Sequence, residues 1–407
     1  MALIVQKYGG TSVGDVERIK NVARRALATQ RDGHDVIVVV SAMSGETNRL
    51  LKLVHQISDR ADEREQDVVA ATGEQVTICL TAMAIQAQGG KARSFTGAQV
   101  RILTDSAFAK ARIKSIDSAR LEQALARGEI AVVAGFQGED EDGNITTLGR
   151  GGSDTTAVAV AAALDADACE IYTDVDGVYT TDPNVVPEAR KLDKISYEEM
   201  LELAGAGAKV LQIRSVEFAM KYNVPLWVKS SFTQDPGTLV CPEDSSMEHV
   251  VVSGIACDRN EAKVAIRGVT DKPGVAARIF KPLTDANIVV DLIIQNVGHG
   301  GRTDMSFTVG KPDLPRALEI VKSVASELGA EKVETDDGIA KVSIVGVGMR
   351  NHAGVAARAF EVLASAGINI EMISTSEIKV SMVIAAKFME LAVRELHTAF
   401  GLDAGKK

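Results

Sequence analysis

The sequence has no CxxC pair, no HExxH and no excess of positive charge, and these absences narrow the field before any motif is read. Its four cysteines, Cys79, Cys169, Cys241 and Cys257, are isolated and lie in or beside apolar stretches. That pattern points to buried thiols rather than to disulfides or a metal centre. The six histidines, His34, His55, His249, His299, His352 and His397, are scattered. No zinc site is expected, and each reads as a surface or capping residue. A formal net charge of −10 argues against nucleic acid as a partner, because neutralising phosphates takes clustered Lys and Arg. No apolar run approaches the roughly 20 residues that span a bilayer. Gln6 and Lys7 end the short apolar start before it could act as a signal-peptide core. A cytoplasmic protein without a membrane partner is expected, and any anion site must be local.

What is present suits a globular enzyme. With 407 residues, 46% of them apolar, the chain is long enough for two or three domains with real cores. Residues 1–245 alternate strands and helices. The apolar runs 36–40 and 130–134 are of the kind buried on both faces of a parallel sheet, and 170–173 and 225–228 resemble further strands. Helical patterns at 65–88, 117–127 and 197–221 lie between them. The expectation is an α/β domain with ligand loops at the strand C-terminal ends, followed by a polar linker at 230–248.

The remainder carries a duplication. Gly268-Val269, then Pro273-Gly274-Val275-Ala276-Ala277-Arg278, recurs as Gly346-Val347, then Ala353-Gly354-Val355-Ala356-Ala357-Arg358. Each copy follows a βαββαβ order, but the second runs out of chain before its last strand. The apolar segment 249–255, which has no place in the first copy, is expected to complete the second. The two modules would then be 263–338 and 249–262 plus 339–407, interleaved in sequence.

Two glycine turns carry the chemistry. Gly149-Arg150-Gly151-Gly152-Ser153-Asp154 precedes an apolar helix, and a helix start offers free amides and a favourable dipole to an anion. Lys7-Tyr8-Gly9-Gly10 follows a short strand and precedes a helix, a plausible phosphate cradle. It fits neither the Walker A pattern nor GxGxxG, so those mechanisms cannot be borrowed. Between them, Ser41 and Thr47 follow the 36–40 strand, and Glu74 reads on its own as a carboxylate at a helix start. The stretch from Thr173 and Asp174 to Tyr179 and Asp182 is no calcium loop, since its glycine comes too early. It suits a nucleotide's ribose and base, or is a plain turn. Lys209 could reach phosphates.

Taken together, KYGGTS at 7–12, SFTG at 94–97, TTLGRGGSDTTA at 146–157, EIYTDVDGVYTTDP at 170–183 and the duplicated module resemble the aspartokinases. The resemblance implies a three-layer αβα amino-acid-kinase domain with a mostly parallel sheet, plus two ferredoxin-like ACT modules. It implies phosphoryl transfer from ATP to the side-chain carboxylate of L-aspartate, with Mg2+ held mainly by the ATP phosphates and no protein metal cage. Lys7, Glu74, Arg150 and Asp154 would be catalytic. Ser41, Thr47, Gly151, Gly152 and Ser153 would join Glu74, Arg150 and Asp154 around aspartate. Lys7, Gly9, Gly10, Thr173, Asp174, Tyr179, Asp182, Lys209 and Val210 would surround the nucleotide.

At the modules it implies inhibition by lysine, threonine or both. The effector residues would be Asp271, Gly274, Val275, Ala276, Asp291, Gln295 and Asn296 in the first copy, and Asn369, Ser374, Thr375 and Ser376 in the second. It also implies a homo-oligomer joined through the modules, with a short regulatory subunit starting near Met247. Two alternatives are an amino-acid sensor with a dead kinase-like domain, and a sibling kinase acting on acetylglutamate, carbamate or a nucleotide. The intact charged set argues against the first. Glu74, a partner for a free ammonium, argues against the second.

Overall fold

The computed structural model describes every residue except 59, 209, 245, 246, 248, 249, 297–299 and 404–407. It divides into two units, Met1–Val178 with Lys191–Ala204 and Lys209–Asp244, and Tyr179–Arg190 with Gly205–Ala208 and Ser245–Lys407. A single cut at residue 245 is therefore corrected, because two stretches of the N-terminal part belong to the second unit.

The first unit begins β1 (Leu3–Tyr8), α1 (Val16–Arg31), β2 (Asp35–Val40), α2 (Glu46–Ile57), α3 (Glu63–Ala87) and β3 (Ala92–Phe95). There follow β4 (Ile102–Thr104), β5 (Ile113–Ile116), α4 (Ala119–Ala126), β6 (Ile130–Ala134), β7 (Gln137–Glu139), β8 (Ile145–Thr147) and α5 (Gly152–Ala163). It ends with β9 (Ala168–Thr173), β10 (Lys194–Ser196), α6 (Tyr197–Gly205), α7 (Ile213–Tyr222), β11 (Leu226–Ser230) and β12 (Thr238–Cys241). The segment 197–221, read as one helix from sequence, is two.

Eight strands form one sheet in the order β10-β12-β11-β9-β1-β2-β6-β3. All its pairs are parallel except β11 with β12. The continuous apolar run of β2 is explained by burial on both faces: Val36, Val38 and Val40 pack with Ile19, Val22 and Ile85 from α1 and α3. Ile37 and Val39, equally buried, alternate to the opposite face. Helix α5 is buried at every position from Gly152 to Ala161, which is why its sequence has no polar stripe.

Helix α3 is long and apolar enough, by length and composition, to cross a membrane. It is not an uninterrupted apolar run, since Thr72, Glu74, Gln75, Thr77 and Thr81 lie within it. Half of its most apolar 18-residue window is buried, and the charged Asp67 and Glu74 of the helix are buried too, so in this structure it is a core helix. Cys79 lies on its exposed face, and Cys241 and Cys257 are half-buried. Of the four thiols expected to be buried, Cys169 alone is fully so.

The second unit contains β13 (Gly254–Asp258), β14 (Glu261–Thr270), α8 (Val275–Asp285), β15 (Val290–Gln295), β16 (Arg302–Gly310), α9 (Leu314–Glu327) and β17 (Lys332–Asp336). Then come β18 (Ile339–Val345), α10 (Val355–Ser365), β19 (Ile370–Thr375), β20 (Lys379–Ala385) and α11 (Met389–Ala399). Its two antiparallel sheets are β15-β16-β14-β17 and β13-β18-β20-β19. The strand that fills the outer position of the second sheet is Gly254–Asp258, paired with β18, later than the apolar run at 249–255. Val251 and Val252 of that run pack in the module core instead, and His249 lies outside the described residues.

Equivalent side chains of the two repeats exchange partners. Lys263 on β14 pairs with Glu371 on β19, and Lys341 on β18 pairs with Asp291 on β15 and, at 3.2 Å, with Glu261. Tyr179–Arg190 is built into the second module. Val186 is part of its core, the Thr180 carbonyl accepts the Ile255 N–H at 2.7 Å, and Arg394 donates to the Val185 carbonyl at 3.0 Å. The Thr180 hydroxyl meets Nε2 of His397 at 2.9 Å. His397 is fully buried, contrary to a surface role, and burial holds its imidazole below the usual pKa.

Candidate active site

Strands β1, β2 and β9 run parallel and end in step, with Tyr8 opposite both Val40 and Tyr172. The loops that follow them, at Gly9-Gly10, Ser41 and Asp174, emerge side by side at one sheet edge. With Arg150 and α5 they enclose a cleft of about 500 Å³.

Lys7, 8% exposed, reaches from β1 into this cleft, and its Nζ lies 2.5 Å from Oδ1 of Asp154 in the first turn of α5. Glu74 is 3% exposed. It sits inside α3 rather than at a helix start, which corrects the sequence expectation. Its neighbour Gly73 allows the approach, since a Cβ there would fall 2.8 Å from that of Ala42. Glu74 Oε1 accepts the Ala42 N–H at 2.9 Å, while Oε2 is buried without a partner. Burial pushes its pKa from the ordinary 4.5 up to about 7, against the pull of the Ala42 N–H. Such a carboxylate is poised for a cation.

Arg150 projects from a turn flanked by Gly149 and Gly151, at φ +74° and +71°, values that only glycine adopts at no cost. Arg150 is exposed to the cleft and makes no ion pair with the described residues. Ser41, Thr47, Gly151, Gly152, Ser153, Thr173 and Asp174 line the same space.

Gly9 and Gly10 do line the cleft, although the Gly9 N–H is given to the Tyr172 carbonyl at 3.2 Å. Other expected residues are not gathered here. Tyr179 and Asp182 belong to the second unit, and the Asp182 carboxylate caps its own turn by accepting from Asn184. Val210 is outside the lining, and Lys209 lies outside the described residues.

In the modules, Asp271 and Gly274 sit on an exposed turn before α8, with Ala276 exposed as well. Val275 is buried in the first module's core. Asp291 is taken by Lys341, which corrects its reading as a free ammonium acceptor. Gln295, Asn296, Asn369, Thr375 and Ser376 are exposed, and Ser374 is half-buried.

One cleft residue escaped sequence reasoning. Phe136 is held at φ +70°, with its N–H on the Thr156 hydroxyl at 3.1 Å. Strain of this kind concentrates at functional sites, but nothing in Gly135-Phe136-Gln137 announces it. Among the described residues, no cluster of three His, Cys, Asp or Glu side chains is suited to a metal ion.

Comparison with known proteins agrees with this architecture. The amino acid kinase family model matches residues 2–230, and ACT domain models match 264–326 and 342–400. An aspartokinase of Pseudomonas aeruginosa is 63% identical, and an aspartate kinase of Stutzerimonas stutzeri 62%, each over 99% of this chain and 98% of its own. Among solved structures, Escherichia coli aspartokinase III in complex with aspartate and ADP is 27% identical, with a TM-score of 0.83 over 98% of this chain and 99% of its own. The match runs through both the kinase unit and the paired repeats, and on that footing the chain belongs to the aspartokinase family and is a kinase.

Proposed function

We propose that this enzyme transfers the γ-phosphoryl group of ATP to the side-chain carboxylate of L-aspartate, giving 4-phospho-L-aspartate and ADP. The observation that carries the reading is the convergence in one cleft of Lys7, a Glu74 oxygen and Arg150, the last two without partners among the described residues. A relative whose structure holds aspartate and ADP supports it.

The chemistry needs little from a base. The aspartate side chain, with a pKa near 3.9, is already ionised. One of its oxygens bonds to the γ-phosphorus as the bond to the bridging oxygen breaks, and that electron pair leaves on ADP. The obstacle is repulsion between anions, so positioning and positive charge do the catalytic work. Lys7 contacts the moving phosphoryl group, and Asp154 orients the Lys7 ammonium. Arg150 takes the α-carboxylate through both arms of its guanidinium. Glu74 takes the α-ammonium, with Ser41, Thr47 and Ser153 hydrogen-bonding around it. Thr173, Asp174 and Gly10 face the nucleotide. Magnesium, when bound, would supply charge neutralisation and would depend on the nucleotide phosphates and water for its ligands, since the described residues offer it no carboxylate cluster.

The proposal extends to regulation. Lysine, threonine or both bind the ACT modules and inhibit, in keeping with a relative solved with lysine and aspartate. The exposed Asp271 to Gly274 turn and Gln295-Asn296 supply the contacts. Chains associate through the modules, a short form starts near Met247, and the enzyme works in the cytoplasm on the route to lysine, threonine and methionine. Incubation with ATP, magnesium and a panel of amino acids, trapping acyl phosphate as hydroxamate, tests the reaction. Aspartate alone should give product, and its failure to do so refutes the assignment. Repeating the assay with lysine, threonine and their mixture tests the inhibition.

A further inference from the structure

The turn that carries Arg150 closes on itself through one bond, Gly152 N–H to the Gly149 carbonyl at 2.9 Å, and two charged groups outside the cleft fasten the residues just before it. Asp67 on α3 is 2% exposed. Its carboxylate accepts the N–H and hydroxyl of Thr147 at 2.8 and 2.6 Å, and the Ala109 N–H at 3.0 Å. Arg214, near the start of α7, donates one guanidinium nitrogen to the Leu148 carbonyl at 2.7 Å and the other to the Ala111 carbonyl at 2.8 Å. Ala111 and Thr147 are themselves joined, the Ala111 N–H donating to the Thr147 carbonyl at 2.9 Å. An anion therefore gathers the amides, and a cation the carbonyls, of the same two stretches of backbone, 109–111 and 147–148.

The next residues are Gly149 and Arg150. Gly149 rests on the Ala109 carbonyl, where a Cβ would come within 2.9 Å, and Gly151 rests on the side chain of Gln212. Gln212 accepts the Arg214 N–H at 2.5 Å. Neither Asp67 nor Arg214 lines the cleft. Among the described residues the Arg214 guanidinium gives its hydrogen bonds to carbonyls and makes no ion pair; what it fixes is the direction of those carbonyls.

We propose that Asp67 and Arg214 are positioning residues for aspartate, which hold the 147–151 turn so that Arg150 meets the substrate α-carboxylate. The inference rests on the reading of Arg150 given above. A clamp misplaced by about 1 Å loses on the order of 100-fold in a well-oriented reaction, and part of that is felt in substrate binding. R214K keeps the charge but replaces a rigid planar fork, whose two nitrogens each meet a carbonyl, by a single flexible ammonium.

The test is steady-state kinetics of the full-length enzyme with R214A, R214K, D67N, R150A and the double variant R150A/R214A, each first checked for a cooperative melt. R214A and D67N should raise the aspartate KM by about tenfold, with the ATP KM within about twofold of wild type. R214K should lie between R214A and wild type. The double variant should be no worse than R150A alone, because a residue acting through Arg150 has nothing left to act on. Three results overturn the inference while leaving Arg150 in place: additive losses in the double variant, equal rises in the KM of both substrates, or wild-type kinetics in R214K. An unchanged aspartate KM in R150A overturns the reading of Arg150 itself.

Discussion

Lys7 in the kinase unit and Lys341 between the repeats are both enclosed, with side chains 10% and 5% exposed, and both lie against carboxylates. Lys7 has one close partner, Asp154, and opens onto a cleft where Glu74 keeps an unsatisfied oxygen. Lys341 has two partners, Glu261 and Asp291, from different strands of the neighbouring repeat. One arrangement leaves charge uncompensated where a ligand is to come; the other spends it on fixing how two sheets meet. Buried ion pairs add little net stability over apolar packing, yet breaking one is costly. Loss of either lysine should therefore be felt, but in different measurements.

The largest contrast is expected for K7A, which should lower kcat by about 1,000-fold or more. It should cost less stability than K341M, because the cleft admits water to Asp154. K341M should cost about 3 kcal/mol in denaturant or thermal melts while kinase activity at low temperature persists. Equal melts for K341M and wild type would erase the distinction.

Glu74 sharpens it further. Its pKa in the fold is raised to about 7 from 4.5, so the free protein binds this proton more tightly than the unfolded chain. The group therefore favours the fold below about pH 4.5 and progressively loses that contribution as pH rises through 7. A bound ammonium requires the carboxylate and reverses the preference. The aspartate KM should consequently climb as pH falls below 7, approaching tenfold per unit, and E74Q should flatten the profile. A profile as steep in E74Q as in wild type would place the titration elsewhere.

The smallest effect belongs to K263A. The Lys263–Glu371 pair mirrors that of Lys341, but both side chains are more than a fifth exposed. Its loss should cost under about 1 kcal/mol. A melt as low as that of K341M would show that the repeat symmetry, rather than burial, decides the energetics.

Much of the cleft was legible in the sequence because, Glu74 apart, its parts follow strand ends with their own local signatures. Lys7, Arg150 and Asp154 stand beside paired glycines, which mark a turn without any knowledge of the fold; at Gly149 and Gly151 the backbone is at positive φ. The duplication was equally plain, since Gly-Val-Ala-Ala-Arg recurs unchanged. What escaped depends on partners distant in sequence. Asp291 looks free until β15 is set against Lys341, and Gly9 looks like an open amide until β9 brings up the Tyr172 carbonyl. Glu74 looked like a cap because Gly73 suggested a helix start; that glycine instead lets α3 close on Ala42. The division of 197–221 was hidden by apolar spacing that continues across the break.

For anyone cutting or recombining this gene, the stretch Tyr179–Arg190 means that the working border is no single point on the sequence. Grafting the repeats onto another enzyme from residue 247 onward would leave behind Val186, which plugs the second module, and the carbonyl that receives Arg394. The transplant would expose raw hydrocarbon on that side. A faithful transfer has to carry the loop along or furnish a peptide in its place.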